Sequence, residues 1–69
     1  VKTDIYESDP FTPKKGRLIA TIESEYRFEK GDEVYFDDER GRLKVRIIDV
    51  RLHVKGNGDV YRDILALKL

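Results

Sequence analysis

From Val34 to Val54 apolar and charged residues alternate on either side of a single glycine, Gly41, and a β-hairpin is the structure that satisfies such a pattern. Val34 and Phe36 share one strand face, while Glu33, Tyr35 and Asp37 share the other. A tight turn around Arg40-Gly41 sets Phe36 opposite Val45 and Val34 opposite Ile47, with Asp37 opposite Lys44 and Tyr35 opposite Arg46 on the polar face. The returning strand is long. Its apolar phase runs Leu43, Val45, Ile47 and then Ile48, Val50, Leu52, Val54, so a bulge or sharp bend is expected at Ile47-Ile48.

A second turn follows at Asn57-Gly58, a dipeptide that suits a type I′ hairpin because both central residues there need positive φ. The partner strand would span residues 60–69. That turn pairs Val54 with Tyr61, Val50 with Leu65 and Ile48 with Leu67, but it also sets Asp63 against apolar Leu52. Tyr61, Ile64, Leu65 and Lys68 equally fit a short helix capped by Asp59, so strand and helix both stand for this segment.

Upstream, residues 2–7 form a short extended candidate around Ile5 and Tyr6. Residues 8–16 contain Pro10, Pro13 and Gly16 and read as a loop. Residues 17–24 alternate again, with Leu18, Ala20 and Ile22 on one face and Arg17, Ile19, Thr21 and Glu23 on the other. The expected fold is therefore one all-β domain over residues 1–69. Its form is a five-stranded bent antiparallel sheet or a small SH3-like or OB-like barrel, with the C-terminal helix as the open alternative. The run Tyr26-Arg27-Phe28-Glu29-Lys30-Gly31-Asp32-Glu33-Val34 resembles the diverging turn of SH3 domains. SH3 domains that bind proline-rich peptides use a groove tryptophan, and this chain has no tryptophan, so the resemblance implies an architecture without a ligand.

Sixty-nine residues sit near the size at which one core supplies only about 3–5 kcal/mol. With no cysteine, neither a disulfide nor a thiolate metal site can reinforce it. Charged residues make up 41% of the chain, against about 25% in ordinary globular proteins. The formal net charge is nonetheless zero, which removes the long-range positive field of a dedicated nucleic-acid binder. That zero conceals an asymmetry. Residues 23–39 hold eight acids against Arg27 and Lys30, and residues 42–55 hold five Lys/Arg against Asp49. No run approaches the ~18 apolar residues that span a bilayer, and the first residues do not begin a signal peptide, so a soluble cytoplasmic protein is expected. The first residue is Val rather than Met, consistent with a processed or trimmed start.

Two sets of residues are candidates for contact. Arg42, Lys44 and Arg46 before the bend, with Arg51, His53 and Lys55 after it, form an outward basic stripe that could meet phosphates, and Tyr35 could stack on bases. The same hairpin places acids beside part of that stripe, which neutralises it. The second set is Phe11 with Lys14, Lys15 and Arg17, where an aromatic on a proline-stiffened loop could anchor a protein interface or fold back to cap the core. Asp37-Asp38-Glu39 reads as a solvated turn and Asp32 as a turn residue. Single His53 reads as a surface residue without a catalytic or metal-binding companion. Gly56-Asn57-Gly58 lacks nucleotide-loop spacing. The expected function is thus a non-enzymatic interaction module, without cofactor or metal, that binds an unidentified protein or itself. The alternative is a weak nucleic-acid-binding barrel using Arg42, Lys44, Arg46, Arg51 and Lys55.

Overall fold

The computed structural model describes residues 1–12 and 14–69; Pro13, assigned above to the loop, lies outside the described residues. Alternation becomes five strands: β1 (Lys2–Glu7), β2 (Leu18–Glu23), β3 (Glu33–Asp38), β4 (Gly41–Val54) and β5 (Val60–Lys68). They form one sheet in the order β2-β1-β5-β4-β3, curled into a half-barrel. The C-terminal segment is strand from Val60 to Lys68, because its alternating residues serve two buried faces at the centre of the sheet. One pairing departs from the antiparallel expectation: β1 and β5 run parallel, with Ile5 opposite Ile64.

Ile5, Val45, Ile47, Ile64 and Ala66 form the buried centre of the concave face, and Ile19, Ile22, Phe28, Val34, Phe36, Leu43 and Val50 pack around them. Ile19 was expected outward. It turns inward because β1 and β2 slip register between Ile5 and Tyr6, which leaves Ile19 without a partner on β1 and lets it pack against the core. The expected bend in β4 is present as a register shift between Ile47 and Asp49 that leaves Ile48 without a partner on β5.

Both hairpin registers differ from expectation, each for a reason in its turn. In the first, Asp38 pairs with Gly41, so the loop is Glu39-Arg40, and the pairs become Phe36 with Leu43, Val34 with Val45, Tyr35 with Lys44 and Asp37 with Arg42. Gly41 supplies the positive φ, 131°, and the Asp38 carboxylate accepts the Arg40 N–H at 2.8 Å. The slip is two residues, so every side chain keeps its expected face. In the second hairpin Asn57 has no positive φ, so the type I′ turn does not form. The Gly58 N–H instead donates to the Lys55 carbonyl at 2.9 Å, with Gly58 at φ 92°, which makes a three-residue loop. One extra loop residue moves Asp63 from Leu52 to Arg51 and pairs Val54 with Val60, Val50 with Ile64 and Asp49 with Leu65. That removes the mismatch.

Arg62 ties the far end of the concave face together. Its buried guanidinium donates to Thr3 Oγ1 at 2.9 Å, to the Tyr26 carbonyl at 2.7 Å and to the Ser24 carbonyl at 3.0 Å, and lies 5.3 Å from the Phe28 ring centre. The segment between β2 and β3 is thereby held against β5. Beyond this strap β4 and β5 run on uncovered, so Leu52 and Val54, expected inward, are exposed with Val60.

Candidate functional site

The outward face of β4 carries the predicted basic stripe, and most of its charge is already engaged. Arg42 Nε donates to Asp37 Oδ1 at 2.7 Å, Arg46 Nη2 donates to Glu33 Oε1 at 3.0 Å, and Lys44 Nζ lies 3.5 Å from Glu33 Oε2. Arg46 and Lys44 together pull the Glu33 carboxyl below its ordinary range, chiefly through the Arg46 hydrogen bond. Arg42 and Lys44 also sit 5.2 and 5.6 Å from the Tyr35 ring centre, on the face a base would need. After the bulge, Arg51 Nε donates to Asp49 Oδ2 at 2.8 Å, and Lys55 Nζ lies 5.5 Å from the Tyr61 ring centre.

On the convex face of β5, Asp63 is 2% exposed, an uncommon place for a carboxylate. Lys15 Nζ reaches its Oδ2 at 2.6 Å from the loop before β2, and His53 Nε2 lies 3.2 Å from the same oxygen. His53 was expected to face solvent. It is half-buried and stacks on Tyr61 at 4.7 Å, its β5 partner in the corrected register. The Asp63 carboxylate holds the Lys15 ammonium protonated above its ordinary range. Lys15 also lies 5.1 Å from the Tyr6 ring centre, so this residue fastens the loop to the sheet.

The other predicted contact residues separate. Phe11 is 93% exposed and does not cap the core; its N–H donates to Asp9 Oδ1 at 2.8 Å. Lys14 is exposed on the same loop. Arg17 lies elsewhere, on the rim of a groove of about 650 Å³ that it lines with Ile19, Tyr35, Phe36, Arg42 and Leu43. Arg17, Tyr35 and Arg42, assigned in sequence to two different sites, thus share one.

That groove is the seam where the half-barrel fails to close. Its walls are β2 and β3, the first and last strands of the sheet. No Cα of β2 comes within 8 Å of one in β3. Partly buried Ile19, Ala20, Phe36 and Leu43 lie within it, and the charged residues Arg17, Asp37, Asp38, Arg40 and Arg42 surround them. Each edge strand leaves the outward half of its backbone N–H and C=O groups without a neighbouring strand. Hydrophobic alternation marks the strands but not which two become edges, so sequence reasoning missed the seam. Among the described residues no three His, Asp or Glu side chains converge as metal ligands, and no helix is long and apolar enough to cross a membrane. Comparison with protein-family models, curated proteins and solved structures returns no match for this chain.

Proposed function

We propose that this chain is a small non-enzymatic module that binds another protein along the seam between β2 and β3. The observation carrying this reading is that two unpaired strand edges border one apolar-floored groove. An exposed edge is a template for main-chain hydrogen bonding, and a groove beside it adds side-chain selection. The non-enzymatic part rests on how the polar groups are spent. His53 and Lys15 both converge on one oxygen of Asp63, an arrangement that suits holding the loop before β2 better than activating a nucleophile. The SH3-like turn over residues 26–34 adds an architecture to this reading and no ligand.

Nucleic-acid binding is the weaker reading, since Arg42, Lys44 and Arg46 already have carboxylate partners and phosphate would have to displace them. One experiment separates the two. A displayed library of random peptides is selected against the folded chain, and the winners are mapped by amide chemical shifts alongside single- and double-stranded oligonucleotides. Seam binding predicts shifts concentrated in residues 17–23 and 33–43. Oligonucleotide shifts along β4 that vanish steeply with salt, with no peptide selected at the seam, would reverse the assignment.

A further inference from the structure

We infer that the seam takes an extended, acidic segment of the partner as a sixth strand, which closes the half-barrel. This rests on the reading of the seam as the binding site and adds the chemistry of its occupant. Spacing comes first. Adjacent strands lie about 4.7–4.9 Å apart, so edges bridged by one inserted strand stand roughly 9.5–10 Å apart. The edges here have no Cα pair within 8 Å yet line one groove, which excludes direct pairing and leaves the gap open to an inserted strand. β2 and β3 are six residues each, or about 20 Å, so the segment is of similar length.

Its side chains alternate by necessity. Those pointing inward meet Ile19, Ala20, Phe36 and Leu43, and are therefore apolar and of small to medium size. Those pointing outward meet the rim, where the charges are unequally spent. Asp37 is occupied by Arg42 at 2.7 Å, whereas Asp38 accepts the Arg40 backbone N–H without an ion pair among the described residues, so one unpaired carboxylate stands against two guanidiniums. The guanidinium groups of Arg17 and Arg40 have no carboxylate within ion-pair distance among the described residues. A planar donor fork on each side of the seam selects carboxylates on the incoming strand.

The test uses synthetic peptides of about six to eight residues that alternate valine with glutamate, valine with lysine, or valine with glutamate interrupted by a central proline. Binding is followed by amide shifts and by hydrogen exchange of the intact chain. The acidic peptide is expected to shift and protect amides in both β2 and β3. The lysine peptide should bind at least tenfold more weakly, and the proline peptide should give no edge protection. Arg17→Glu with Arg40→Glu is expected to reverse the preference for acid over base by a similar factor. Both residues are exposed, so the fold should persist, as the unbound amide spectrum will report. If lysine and glutamate peptides protect the edges equally, the acidic inference falls while seam binding stands. If peptides bind but shift only the exposed Leu52, Val54 and Val60 face, or if the edges become protected with protein concentration alone, the seam reading falls with it.

Discussion

Two neighbours in β5 show how one residue step changes the physics of a charge. Arg62 points to the concave side and forms no ion pair among the described residues; two backbone carbonyls and a hydroxyl solvate it instead. Charge-assisted hydrogen bonds of this kind, about 1.5–3 kcal/mol each, are what permit a buried guanidinium. Asp63 points to the convex side, and Lys15 and His53 meet it there. Ion pairs also set the molecule's behaviour with pH. Glu33 has a folded pKa below its ordinary 4.5, so its contribution is present above that value and is lost as acid lowers the pH through the folded pKa. Lys15 has a folded pKa above its ordinary 10.5, so its contribution is complete below that value and disappears as the pH rises through the folded pKa. Denaturant midpoints measured across pH should therefore fall at both ends. Glu33→Gln should make the acid limb shallower, with the remainder carried by Glu25 on the N-terminal ammonium, and Lys15→Met the alkaline limb, with the remainder carried by that ammonium, each variant leaving the other limb in place.

The loop that carries Lys15 returns to the sheet through a contact that only glycine permits. Gly16 donates its N–H to the Glu7 carbonyl at 2.8 Å, and a Cβ at this position would stand 2.5 Å from the same oxygen. The obstructing atom is backbone and cannot rotate away. Gly16→Ala is expected to cost about 1–3 kcal/mol, read as a lower urea midpoint, and to speed amide exchange at Glu7, whose N–H donates to Arg17. An unchanged midpoint would show that the loop can lift without loss. Strand positions were legible in the sequence because alternation is local; register was not, because it depends on loop residue count. Asn57-Gly58 invited a two-residue turn, and the three-residue loop that formed moved β5 by one position. The conflict of Asp63 with Leu52 was the sign of that error. Resolving it by a one-residue slip would also have placed His53 beside Tyr61 and turned it toward Asp63.

At the scale of the whole molecule, the proposed seam binding requires two edges that stay open without joining other copies. Zero net charge gives no general repulsion, so protection has to be local. On β3 it comes from Glu33 and Asp37, which with Tyr35 form the outward face and carry charge along the edge. The seam was illegible from sequence for a related reason. Closure depends on the summed twist of five strands and on the parallel β1–β5 pair, whereas Arg17 and Tyr35, eighteen positions apart, were read in separate segments. If edge charge keeps the protein monomeric, replacing one ion pair with an apolar pair should release association without changing net charge. Asp37→Val with Arg42→Val does this at a cross-strand pair whose side chains are mostly exposed, so the fold should persist, as an unchanged amide spectrum will report. Sedimentation velocity over a hundredfold concentration range should then show dimers or larger species for the double variant alone. Hydrogen exchange should place the new protection on β3. A variant that stays monomeric throughout would mean that the groove's shape, rather than its edge charge, excludes other copies.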